Sequence, residues 1–177
     1  GDAAMILYFS AKGVWPSAAL ATYAADTTDG VIQLQPLTVA GDIGREVEVP
    51  LQISKGDQVA GATLILRYGK GLTYKSAQLE SALTAQGYVL TSNPIGANEV
   101  RLSLVGPTPL AAGGQTLGKV RFSLDGDATN AQTQVAVIGA WLTDQAGRDF
   151  SLSALQQTVV GGQGLVRINE RVLLPLI

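Results

Sequence analysis

The stretch that most restricts what this chain can fold into is Ala60–Leu79, AGATLILRYGKGLTYKSAQL, where two runs of strand-forming residues are joined by glycines. Ala62-Thr63-Leu64-Ile65-Leu66-Arg67-Tyr68 is an apolar extended run, Gly69-Lys70-Gly71 supplies a turn where positive φ costs little, and Leu72-Thr73-Tyr74-Lys75-Ser76 resumes the extended pattern. A hairpin or sheet-crossing corner of this kind cannot bury itself. It needs further strands, and the sequence supplies them. Val31–Val39, Glu46–Ile53, Gly87–Thr91, Glu99–Val105, Leu117–Leu124 and Thr133–Leu142 carry strand signals, with shorter candidates at Asp149–Leu152, Gln157–Val160 and Gly164–Asn169. Turn residues separate them at Asn93-Pro94, Gly106-Pro107-Thr108-Pro109, Asp125-Gly126-Asp127, Asp144–Gly147 and Gly161-Gly162, and Ser81–Gln86 reads as a helical turn. There is no internal repeat and no alternation of strand with long helix. The pattern therefore predicts an all-β chain: an antiparallel jelly-roll β-sandwich of about nine strands, preceded by a short helical N-terminal extension.

The alternation also predicts which strands are covered on both sides. In Glu46–Ile53, Val47, Val49, Leu51 and Ile53 face one way and Glu46, Glu48, Pro50 and Gln52 the other, as in a half-solvated sheet. Pro50 has no N–H to donate, which favours a sheet edge or a bulge at that point. Leu117–Leu124 alternates in the same way. Ala60–Tyr68 and Thr133–Leu142 do not: each is apolar on both faces, so something is expected to lie on the outer side, either a partner or the N-terminal helix.

Residue types exclude much of chemistry. The 177 residues contain no cysteine and no histidine, which removes disulfides, thiolate nucleophiles, histidine triads and the usual zinc sites together. A net charge of −2 offers no basic footprint for nucleic acid. No apolar run approaches the roughly 20 residues of a membrane-spanning helix. Position 1 is Gly and not an initiator Met, so the expectation is a processed or trimmed chain whose export signal lay upstream, and a location outside the cell or on its surface.

Three stretches together resemble the cohesin domain, the binding module of cellulosome scaffolds. The apolar strand, Tyr68, turn and Leu72 are similar to its third and fourth strands. Arg45–Ile53, REVEVPLQI, is similar to its early strand with Val-Pro, and Gly114–Leu124, GQTLGKVRFSL, to its late strand with Gly-x-x-x-Phe. One departure is that Gly69-Lys70 follows Tyr68 where the family usually has Asp-Pro. The resemblance implies a cohesin-like β-sandwich over residues 31–168 and a partner-docking face on the sheet that holds Ala62–Tyr68, made of Thr63, Ile65, Arg67, Arg101, Ser103 and Trp141. It also implies a protein partner of the dockerin type. Residues 1–30, with DAAMILYFSAKG and DTTDGVIQL, are similar to part of a dockerin, the calcium-binding partner module, although its first calcium loop is missing.

Few constellations are left to carry chemistry. Asp26/Asp29, Asp125/Asp127 and Asp144/Asp149 are carboxylate pairs, but all lie in predicted turns, where Asp serves local hydrogen bonds. Asp125 and Asp127 are the candidate calcium ligands, and an inert turn is the competing reading. No catalytic residue and no cofactor are expected. A carbohydrate-binding module is the rival within the same architecture, yet Tyr74, Tyr88, Trp141 and Phe150 include no i, i+2 pair along one strand that would form a stacking platform. Two apolar ends remain: the helix bearing Met5, Ile6, Leu7 and Phe9, and the tail 169–177 with Val172, Leu173, Leu174, Leu176 and Ile177. Such ends suit a subunit that lends a segment to a neighbour, so the chain is expected to bind protein, as a self-associating homo-oligomer or filament subunit or as a monomeric module for a dockerin-like partner.

Overall fold

The structure is a computed structural model that describes residues 31–125, 132–149 and 158–169. The expected helix with Met5, Ile6, Leu7 and Phe9, the tail residues Val172–Ile177, Asp26, Asp29, Asp127 and Phe150 lie outside them. Among the described residues eleven strands form two sheets. In chain order they are β1 (Val31–Pro36), β2 (Val39–Gly41), β3 (Glu46–Ile53), β4 (Gly61–Tyr68), β5 (Leu72–Leu79), β6 (Val89–Gly96), β7 (Glu99–Val105), β8 (Gln115–Leu124), β9 (Gln132–Thr143), β10 (Thr158–Gly161) and β11 (Gln163–Ile168). One short helix, α1 (Ser81–Ala85), joins β5 to β6. The five-stranded sheet runs β10-β1-β3-β8-β5 and the six-stranded sheet β2-β11-β9-β4-β7-β6.

The sandwich expected from the alternation is present, with differences of detail. Val31–Val39 is not one strand. It breaks after Pro36, which cannot continue a ladder, and its second part pairs in the other sheet. Residues 158–168 cross in the same way, so β1 lies parallel to β10 and β2 parallel to β11, while the other pairings among the described residues are antiparallel. Glycine permits the crossing: a Cβ on Gly164 would strike the carbonyl oxygens of Pro36 and Leu37, and one on Gly161 the carbonyl of Val137. Gly162 N–H donates to the Leu34 carbonyl at 2.7 Å and its own carbonyl accepts from Val137 at 2.9 Å. These paired crossings close one side of the sandwich.

The core lies between the sheets, where Leu34, Val49, Leu66, Leu102, Phe122, Leu142 and Val166 are buried. Phe122 sits at its aromatic centre, 5.1 Å from the Tyr68 ring and 6.2 Å from that of Tyr74. Pro50 is tolerated inside the sheet because β1 stops opposite Leu51; the Pro50 carbonyl accepts from Leu37 N–H at 2.8 Å, and a bulge follows between Leu51 and Gln52. The expected break at Asn93-Pro94 falls inside β6, which is an edge strand where a missing N–H costs little.

On the solvated face of β3, Glu48 accepts hydrogen bonds from Lys119 Nζ at 2.6 Å and Arg121 Nη2 at 2.8 Å. The bond from Lys119, then that from Arg121, holds the Glu48 carboxyl below its ordinary value. A carboxyl depressed by folding contributes stability above its unfolded pKa, and that contribution is lost as pH falls through the folded one. Glu48→Gln is therefore expected to flatten the acid limb of the stability profile, measured as urea midpoints between about pH 3 and 7. An unchanged acid limb would show that the cluster is fully screened.

Candidate functional site

The outward face of β6, β7, β4 and β9 is built as a grid by the strand register. Val89, Val105, Gly61 and Thr143 form one row, and Thr91, Ser103, Thr63 and Trp141 the next. Asn93, Arg101, Ile65 and Gly139 form the third row, and Glu99, Arg67 and Ala136 the fourth. Thus Thr63, Ile65, Arg67, Arg101, Ser103 and Trp141, far apart in sequence, share one surface.

Their accessibility differs from the simple expectation. Ile65 is only 7% exposed, so it is the floor of the face and not a contact point. The Trp141 ring lies over Gly139, where a Cβ would press against Cη2 and Cζ3 at 2.9 and 3.0 Å. Any larger residue at 139 would lift the ring. Arg67 donates from Nε and Nη2 to Glu99 Oε1 at 3.0 and 2.7 Å, which orders its side chain across β4 and β7. Arg101 is exposed and makes no ion pair among the described residues.

The most accessible large apolar groups among the described residues were missed by the sequence reading. Val89 and Val105 stand directly opposite each other on β6 and β7 at 60% and 64% exposed. The parity of Arg101, Ser103 and Val105 carried half of that signal, but the partner across the sheet depends on register. Behind the pair, Tyr88 is buried and its hydroxyl donates to the Thr108 carbonyl.

Among the described carboxylate candidates, Asp125 and Asp144 resolve into turn devices. Asp125 accepts from Thr73 Oγ1 at 2.5 Å and Ser123 Oγ at 3.2 Å, which ties a sheet corner and occupies both of its oxygens. Asp144 accepts from the N–H groups of Ala146 and Arg148, both at 2.9 Å, and from Arg148 Nε at 2.8 Å. The Arg148 backbone bond leads in holding its carboxyl below the ordinary value. Among the described residues no three carboxylates converge to hold a metal ion, and no helix is long and apolar enough to cross a membrane. Tyr74 and Trp141 are half-buried and Tyr88 is buried, so the described aromatics form no exposed row for a sugar.

A concavity lies on the outer face of the five-stranded sheet. It is a groove of about 510 Å³ lined by Gln33, Gln35, Gln52, Ser54, Gln115 and Thr116, all neutral hydrogen-bonding groups.

No protein-family model matches this sequence, and no curated protein matches it. Among solved structures, the fold is similar to cohesin modules. The non-cellulosomal cohesin from the hyperthermophilic archaeon Archaeoglobus fulgidus superposes with a TM-score of 0.64 at 18% identity, over 80% of this chain and 94% of that one. The sixth cohesin of scaffoldin B from Acetivibrio cellulolyticus, solved in complex with a dockerin, gives 0.63 at 19% identity over 78% and 99%. The cohesin module of a family 33 glycoside hydrolase from Clostridium perfringens gives 0.63 at 16% identity over 82% and 100%. Topology, core and these likenesses agree, and the described strands of this chain form a cohesin-like domain.

Proposed function

We propose that this chain is a non-catalytic protein-interaction and assembly module acting outside the cell or on its surface, and that its partner docks on the outward face of β6, β7, β4 and β9. The observation that carries this reading is the exposed Val89–Val105 pair beside a row of hydroxyls and the exposed Arg101, which makes no ion pair among the described residues, an apolar centre with a polar rim. Thr63, Ser103 and Trp141 border it, with Ile65 beneath and Arg67 held by Glu99. Solved cohesins of this fold are in complex with dockerins, which makes a dockerin-like protein the partner of first choice. A chain without histidine or cysteine supports binding in place of catalysis, and no cofactor is invoked.

In this reading residues 1–30 are an extension, 31–168 the binding domain and 169–177 an apolar tail. The aliphatic termini, with Met5, Ile6, Leu7 and Phe9 at one end and Val172, Leu173, Leu174, Leu176 and Ile177 at the other, favour self-association of the chain into a fibre or surface assembly.

Calorimetric titration of the chain with a panel of dockerins and with itself tests the docking face. Val105→Asp combined with Arg101→Glu is expected to weaken binding at least ~30-fold with an unchanged melting temperature, since both positions are exposed. Binding that survives the double change would move the interface elsewhere. A neutral glycan is the second reading, favoured by the glutamine groove alone; a glycan array whose signal disappears in Gln35→Ala with Gln52→Ala would support it.

A further inference from the structure

The sandwich is closed on one side by its crossing strands and open on the other. On the open side the sheets end in β5 and β6, which approach each other at the edge. A narrow apolar crevice enters there. Leu51, Leu64 and Leu102 lie buried at its floor, while Ala77, Leu79 and Leu90 are only half-buried at its mouth. Past Leu90 the alternation of β6 turns Ser92 and Pro94 inward, as their pairing with Leu102 and Val100 requires, yet both are exposed. The five-stranded sheet therefore leaves that part of β6 uncovered. Among the described residues the outer edge of β6 is also unpaired, and Val89–Gly96 carries none of the charges that natural edge strands use to repel another strand. Only Pro94 and the bulge before Gly96 blunt its far end.

We propose that this edge accepts an added β-strand, and that the strand is Val172–Ile177 of a second copy of the chain. Its aliphatic side chains would cover the half-buried Leu79 and Leu90, and its backbone would satisfy the edge of β6. Pro175 suits a position whose missing N–H faces away from β6. The donor cannot be the chain's own tail. Strand order puts β11 four strands from β6, so a strand added beyond β6 stands five spacings, about 24 Å, from β11. Val172 is three residues past Asn169 and can reach at most ~11 Å. A subunit that cannot fill its own edge but carries a strand for its neighbour's assembles head to tail, and contacts that do not close give a filament.

This inference rests on the self-association reading above, and its test separates the two. The chain has no cysteine, so introduced thiols report cleanly. Full-length Ser92→Cys and full-length Leu174→Cys, mixed and oxidised, are expected to form a disulfide-linked heterodimer, whereas Ser54→Cys, on the other sheet, is not expected to link to Leu174→Cys. Full-length Ser92→Lys, changed at an exposed position, is expected to fall from assembly mass to monomer mass by light scattering with its melting temperature unchanged. A wild-type chain that is already monomeric overturns both the self-association reading and this inference. A chain that assembles, keeps its mass in Ser92→Lys and forms no disulfide between the thiols introduced at positions 92 and 174 overturns this inference alone.

Discussion

Phe122→Ala is expected to lower the unfolding free energy by about 3–5 kcal/mol, the range for removing a large aromatic from a packed core. Phe122 is 0% exposed on β8, and its ring is flanked by Tyr68 at 5.1 Å and 55° and by Tyr74 at 6.2 Å and 76°. Those tilted and edge-on geometries add to the area it buries. Tyr68 comes from β4 in the other sheet, so the ring joins the two layers and the space it leaves cannot collapse without moving strands paired on both sides. For a domain whose whole stability is about 5–15 kcal/mol, the loss is a large fraction. Urea denaturation reads it as a lower midpoint at unchanged slope. A loss below about 1 kcal/mol would mean that the sheets do not close over this ring. Tyr74→Phe is the control: its hydroxyl is buried without a hydrogen-bond partner among the described residues, so removing it is expected to be neutral or slightly stabilising.

Gly106→Ala is expected to cost about 1–3 kcal/mol, toward the upper end of that range for overpacking, because neither side of the contact can retreat. A Cβ at this position would fall among Cε1, Cζ and Cδ1 of Tyr88. The Gly106 backbone is pinned by its N–H bond to the Ala60 carbonyl at 2.8 Å, and the Tyr88 ring by its hydroxyl bond to the Thr108 carbonyl. Burial also pushes the Tyr88 phenol above its ordinary value. The residues concerned directly adjoin Val89 and Val105, so the same change is expected to loosen the exposed apolar pair and weaken docking. A double-mutant cycle with Tyr88→Ala decides the mechanism: once the ring is gone, the added methyl should cost little, and strictly additive losses would show that the ring is not the obstacle.

These two sites differ in how far they could be read from the sequence. The inward parity of Phe122 is visible in Val120-Arg121-Phe122-Ser123-Leu124, because side chains alternate with a period of two and that period is local. Gly106 reads only as a turn residue before Pro107. Its need for glycine comes from a tyrosine 18 positions away, and that proximity exists only after β6 and β7 pair.

The same division runs through the proposed docking face and the proposed assembly edge. Local alternation by itself determined the sandwich, the bounds of β3 (Glu46–Ile53) and β7 (Glu99–Val105) and the core side of half-solvated strands such as β3 and β8, whereas Thr63, Ile65, Arg67, Arg101, Ser103 and Trp141 were grouped on one face by the cohesin resemblance. Tertiary structure decided the rest. Only the register of β6 on β7 sets Val89 against Val105, and only the packing of Trp141 over Gly139 at the third row of the face, where Ile65 lies, distinguishes floor from contact. Asn93-Pro94 could lie inside a strand because β6 proved to be an edge, and Val31–Val39 divided between sheets because glycines at 161 and 164 let two crossings pass. The physical reason is common to all of them: a side chain's direction is set by its own backbone, whereas its neighbours and its exposure are set by strands distant in the chain.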